Sequence, residues 1–173
     1  MIEDFQSEYR RYRVIGERAL VQVPDAAINR ILAPDGNSAA MIVRHLSGNL
    51  LSRFTDFLTT DGEKPWRDRD REFVEGSYSR PEIDTHWVQG WAVAETALSG
   101  LVEADLHRVV TIRQQPLTVH AALSRSLAHV AYHVGQLVLL ARITSDTEWQ
   151  WISIPKGESA TYDAAPTSER GPR

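Results

Sequence analysis

The chain has 173 residues, the size of one domain, or of one domain with a tail, and long enough to bury a core without covalent staples. It carries 19 Lys and Arg against 23 Asp and Glu, a net charge of −4, so it lacks the basic excess of a chain that grips nucleic acid through its phosphates. Having no cysteine, it is excluded from disulfide scaffolds, thiolate-ligated zinc and cysteine nucleophiles, a composition that suits a reducing compartment. No run of 18 apolar residues exists, so no membrane-spanning helix is expected. The opening MIEDFQSEYRRYR is charged and has no apolar stretch of the signal-peptide kind, so the cytoplasm is the expected location.

No repeat of fixed period is visible, and four long stretches have helical periodicity. The first covers residues 2–23, with Phe5, Tyr9, Tyr12 and Ile15 or Gly16 at three- and four-residue steps. Pro24 stops it, and a short helical piece over 25–32 precedes the turn APDGNS. The second covers 38–59, capped by Asn37 or Ser38, with Ile42, Leu46, Leu50, Phe54 and Phe57 as its apolar stripe. A polar connection follows over 60–79. Asp61-Gly62 and Pro65 break regular structure there, and the alternating charges of RDRDRE are expected to face water. Its length favours a lid, or a loop with structure of its own.

The third helix is expected over 81–103, opened by Pro81 in its first turn and carrying Trp87, Trp91, Ala94, Leu98 and Leu101. VVTIRQQP then forms a short extended link. The fourth covers 117–144, with Leu123, Leu127, Val130, Val134, Leu137 and Val138 on a broad apolar face. Ala121, Ala122, Ala128, Ala131 and Gly135 permit close packing on it. The last stretch, 145–173, is too apolar around Trp149, Trp151 and Ile152 to hang free, and should pack on the bundle or on a partner chain. Its end, APTSERGPR, has the composition of a disordered terminus. The expected fold is all-α, a four-helix bundle over residues 1–155, with a C-terminal tail over 156–173.

The chemistry lies in the histidines. His129 and His133 stand four apart in HVAYH, on one face of a helix and roughly 5–6 Å apart at their Cβ atoms. Two imidazoles so placed can share a metal ion. Ala122 and Ser126 on that face leave room for one, and Gln136 can hold a ligand or a bound water. His45 is the best third ligand. It lies mid-helix at the edge of the apolar stripe, and Asn49 and Arg53 continue its face as a polar strip aimed into the bundle. The alternative is that these are core-edge histidines bonded to backbone carbonyls. HVAYH has no Glu after its first His, so the zincin pattern and its general base are missing. His86, His107 and His120 lie near helix ends, where surface or capping roles are expected. His86 is the spare ligand. The chain shows no glycine-rich phosphate loop, no GxSxG and no third member for a serine triad, and its five tryptophans are expected to be core and interface anchors.

Several stretches carry a resemblance: HLSGNLLSRFTDFLTTDGEKPWRDRDREF from His45, RPEI from Arg80, HVAYHVGQLVLLAR from His129 and WISIPKG from Trp151. In these the sequence resembles the DinB-like metal-binding four-helix-bundle superfamily, within a branch known as a domain of unknown function. The resemblance implies zinc, nickel or a similar ion on His45, His129 and His133, with manganese or iron also accepted by such ligands. It further implies an up-down-down-up bundle and a homodimer. Relatives in that superfamily include transferases that use bacillithiol, mycothiol or related small thiols. Three neutral imidazoles leave an ion an open position, where water is acidified or a thiol is held in its nucleophilic form. The leading expectation is transfer of a low-molecular-weight thiol to an electrophile, with Arg53 and the loop 64–71 binding the thiol's carboxylates. A metal-activated-water hydrolase and a non-catalytic, metal-stabilised dimeric bundle are the alternatives.

Overall fold

A computed structural model describes residues 1–167, and its long helices begin where side chains satisfy the free backbone N–H groups of a first turn. α1 spans Ile2–Leu20, α2 Ala39–Phe54, α3 Arg80–Ser99 and α4 Val119–Thr144. Ser38 Oγ accepts from the Met41 N–H at 3.2 Å to start α2. Glu82 accepts from both the N–H and the hydroxyl of Ser79 at the start of α3, and Thr118 Oγ1 accepts from Ala121 N–H at the start of α4.

The ends fall short of the expected ones for local reasons. α2 stops at Phe54 rather than 59, because Asp56 takes a left-handed conformation (φ 49°) and its carbonyl collects the N–H groups of Thr59 and Thr60. α3 stops at Ser99, before Gly100. The piece after Pro24 is a single 3₁₀ turn, Asp25–Ala27.

α2 packs most extensively on α3, and α1 on α4, while contacts of α2 with α4 and of α1 with α3 complete the arrangement around one core. Tyr9, Leu50, Ile83, Trp91, Leu123, Val130 and Leu137 are buried at its centre. Two glycines set the spacing. A Cβ on Gly16 would lie 2.2 Å from the Trp87 ring, and one on Gly90 would lie 2.7 Å from Ser47 Cα, so α3 comes close to both α1 and α2. Along α1 and α3, Arg80 reaches the carbonyls of Leu20 and Val23, Gln6 reaches Leu98 O, and the N-terminus meets Glu103. Along α1 and α4, Phe5 stacks edge-on with His120, and the Tyr9 hydroxyl donates to Leu123 O.

VVTIRQQP is a hairpin rather than a link. β1 (Val109–Ile112) pairs antiparallel with β2 (Gln115–Thr118), and Val110 stands opposite Leu117. Arg113 and Gln114 form its two-residue turn, both with positive φ (54° and 63°), the combination that matches strand twist. The usual Asn-Gly signal is absent. Its place is taken by Asp61, whose carboxylate accepts from the N–H groups of Arg113 and Gln114 at 2.9 and 2.7 Å. The Glu63 N–H, with those of Gln114 and Arg113 behind it, holds that carboxyl down at about 2 against burial.

The connection between α2 and α3 contains a 3₁₀ turn, Asp70–Phe73, and corrects the reading of RDRDRE as a wholly solvated run. Glu72 is buried and the Arg67 side chain is 2 % exposed. They go inside together because each neutralises and hydrogen-bonds the other. At the C-terminal side, Trp149 and Ile152 pack on the core, Arg18 donates to the carbonyls of Trp151 and Ile152, and the Arg142 guanidinium lies about 5 Å from both the Trp149 and Trp151 rings. The apolar stretch thus packs on its own bundle. A short helix, α5 (Ser159–Asp163), follows. The disorder expected of APTSERGPR falls largely outside the described residues. No helix among those described is long and apolar enough to cross a membrane.

Candidate metal centre

α2 brings His45 to the same point at which α4, packed beside it, presents His129 and His133 one turn apart. One ring nitrogen from each of the three lies within 4.8 Å of the others, and His45 Nε2 is 3.0 Å from His129 Nε2. Nitrogens bound to a tetrahedral ion at about 2.0–2.1 Å are themselves roughly 3.4 Å apart, so the group has the right scale. Among the described residues no fourth imidazole or carboxylate joins it. His86 stays apart on α3, where burial and the nearby Arg44 lower its pKa against the pull of Glu82. His107 and His120 are exposed.

The far nitrogens determine what the near ones can do. His45 Nδ1 lies 2.8 Å from Glu72 Oε2. An ionised carboxylate only accepts, so Nδ1 carries a proton, and in the neutral ring Nε2 is the nitrogen left to ligate. His133 Nδ1 lies 2.8 Å from the amide oxygen of Gln136, which again places the proton on Nδ1 and leaves Nε2 bare. His129 Nδ1 is buried without a hydrogen-bond partner among the described residues. Burial, reinforced by the neighbouring imidazoles, holds His129 down at about 3. Burial and His45, against the bond to Gln136, hold His133 at about 4. Both rings are therefore neutral at pH 7, the form that ligates a metal. His129 Nε2 can share a proton with His45 Nε2 across their 3.0 Å contact, and a cation bound among the three rings takes that proton's place as the acceptor of their lone pairs. The donor set fits a divalent ion.

Glu72 is the residue that sequence reasoning missed. Burial pushes its carboxyl up, but the hydrogen bonds from His45 and Arg67 outweigh this and leave it below the usual carboxylate value. Arg67 holds it with two parallel bonds, Nε to Oε1 at 2.8 Å and Nη2 to Oε2 at 2.9 Å, the fork geometry of strong Arg–carboxylate pairs. A signal was available in Gly48, one turn beyond His45: a Cβ there would lie 2.1 Å from Glu72 Oε1. Phe73 packs on the His45 ring, and Tyr132 on the His133 ring.

The histidines open onto a cleft of about 510 Å³, whose lining includes Asn49, Arg53 and Gln136 as well as the small residues Ala122 and Ser126. The model of the family described as "Protein of unknown function (DUF1572)" matches residues 1–158. The chain belongs to this family. No curated protein matches it. The family's description assigns no activity, and the chemistry of this DUF1572 member lies in the cleft. Of the cationic residues expected to serve a substrate, three are already engaged, Arg67 by its fork onto Glu72. Arg53 donates to Gly62 O and to Glu63, and Lys64 turns into its own loop onto Thr60 Oγ1 and Asp61 O at 2.6 and 2.5 Å.

Proposed function

We propose that His45, His129 and His133 hold one divalent ion, zinc or nickel first, and that the cleft above it is an active site for transferring a low-molecular-weight thiol to an electrophile. The observation that carries the metal site is the convergence of imidazole nitrogens whose outer nitrogens, on His45 and His133, are fixed as donors by Glu72 and Gln136. When bound, the ion supplies Lewis acidity at an open coordination position, which favours the deprotonated form of a thiol or water that reaches it. Glu72 and Gln136 orient the rings, and Phe73 packs on the His45 ring. In the transfer, the thiol's S–H proton leaves to solvent at the mouth of the cleft. The sulfur lone pair forms the new bond to the electrophilic carbon, and the leaving group departs with the electrons of the bond that breaks. The chain has no cysteine, so the thiol is a cosubstrate.

The same reading includes the DinB-like superfamily and its up-down-down-up order. In support, α1 meets α3 with opposite ends together (Arg80 with Leu20, Gln6 with Leu98) and α4 with like ends together (Phe5 with His120). A homodimer belongs to it as well, and the exposure of Tyr132, Leu139 and Ile143 on α4 agrees with a covered face. Light scattering on the purified protein tests that point.

Metal analysis tests the site itself. About one ion per chain is expected in the wild type and none in His133→Ala, and equal content in both would refute the assignment. Turnover is then sought with small thiols and alkylating electrophiles in the presence of zinc, nickel or manganese. Product formation that depends on both the ion and His133 supports the transferase reading. An ion-loaded protein inert to every pair favours a structural role.

A further inference from the structure

Five arginines line the cleft over the three histidines (Arg53, Arg67, Arg69, Arg113 and Arg125) and no carboxylate lines it. Pairing within the protein accounts for only part of this charge. Arg53, Arg67 and Arg113 lie around Glu63 at 3.2, 3.9 and 2.9 Å, and Arg67 is also forked onto Glu72. Three guanidinium groups thus share two carboxylates. Arg69 has only a 3.7 Å contact with the fully solvated Asp70 and lies over the Phe73 ring. Arg125 makes no hydrogen bond or ion pair with any described residue, yet it stands one turn before His129 on the same face of α4. A second, independent observation comes from the opposite wall. Asn49 is 8 % exposed and lines the cleft, and its amide makes no hydrogen bond to any described residue. An amide with donor and acceptor both unused on the wall of a cleft can bond a ligand that enters it.

We propose that this cleft takes a small molecule carrying an oxyanion, a carboxylate or a phosphate, with Arg125 and Arg69 pairing with the anion and the Asn49 amide bonding a polar group beside it. The inference rests on the reading of the cleft as the place where a cosubstrate meets the ion, and it specifies that cosubstrate's charge. Of the cations that the sequence singled out, Arg53 and the loop 64–71, it keeps Arg69, and it adds Arg125 from α4. Arg53 is committed to Glu63 and Gly62, and Lys64 to its own loop, whereas Arg69 and Arg125 can swing onto a ligand without breaking a buried bond. Guanidinium groups suit the task because their forked N–H donors match both carboxylate and phosphate. A concave site of one sign also concentrates counter-ions.

The test is calorimetric titration with succinate and, separately, with inorganic phosphate. The protein is used as purified, with its ion content measured, and again after EDTA treatment and dialysis. Binding of at least one anion by both preparations is expected, weakening as sodium chloride is raised. The tighter of the two identifies the oxyanion. Arg69→Ala with Arg125→Ala should weaken binding about tenfold or more while leaving ion content unchanged. Asn49→Ala should weaken it about fivefold. Lysine at both arginine positions should retain part of the affinity, because the charge remains when the fork is lost. Both arginines lie exposed, so folding is not at stake. Equal affinity in wild type and double variant, or neutral succinamide binding as well as succinate, overturns the proposal. Absence of a bound ion with anion binding intact would remove the metal reading and leave this one standing.

Discussion

Substituting Glu72 with glutamine replaces one carboxylate oxygen by an NH₂ group at a point where three donors converge: His45 Nδ1 at 2.8 Å, Arg67 Nε at 2.8 Å and Arg67 Nη2 at 2.9 Å. Whichever way the amide lies, one of its N–H bonds faces a donor. The surroundings decide how much that costs. The Glu72 side chain is 10 % exposed and that of Arg67 2 %, so little water reaches the guanidinium, and its other carboxylate, Glu63, stands farther off at 3.9 Å. Truncating one member of a buried pair costs about 3–5 kcal/mol. Glutamine keeps one acceptor, so about 3 kcal/mol is expected, or roughly 6–12 °C in Tm for a chain of this length. A second loss is separate from the first. Without the carboxylate, His45 is no longer held as the Nδ1–H tautomer, and ion affinity should fall about 10- to 100-fold. Urea unfolding of ion-free protein measures the first, and competition with a chromophoric chelator the second. A variant within about 0.5 kcal/mol of the wild type and with unchanged ion affinity would refute the account of Glu72 as the support of both Arg67 and His45.

Two further outcomes follow from the same geometry. Because burial and the neighbouring imidazoles hold His129 at about 3, and burial and His45 hold His133 at about 4, the unfolded chain takes up protons below about 6.5 that the folded chain refuses. The stability of the ion-free protein should therefore be fully present above pH 6.5 and decline as pH falls toward 4, by up to about 2.7 kcal/mol per pH unit while two protons separate the states. Glu72, whose carboxyl is held low, adds to the loss at still lower pH. Urea midpoints from pH 7.5 to 4.5 measure this, and a flat profile would contradict it. Gly90→Ala puts a Cβ 2.7 Å from the backbone of Ser47, which cannot rotate away. Overpacking of about 1–3 kcal/mol should outweigh the roughly 1 kcal/mol gained in helix propensity, and a more stable variant in thermal unfolding would show that α2 and α3 are free to separate.

The sequence by itself determined the four long helices, because their apolar residues recur at helical spacing over many turns and Pro24, Asp61-Gly62 and Pro81 punctuate them. It also singled out the three histidines. The i, i+4 pair on α4 is a local property, and His45 stood out because Asn49 and Arg53 continue a polar strip where an apolar one was due. What lay beyond it were the facts that depend on separate segments meeting. The turn at Arg113 and Gln114 is held by an Asp61 some fifty residues away, so nothing local in VVTIRQQP marks a hairpin. The charges of RDRDRE alternate as a solvated run does, and only the fold separates Arg67 and Glu72, which neutralise each other inside, from Arg69 and Asp70, which stay outside. Which cations of the cleft are spent and which are free was likewise decided by tertiary structure. A charge's availability depends on the partner it meets in space, and spacing along the chain does not record that partner.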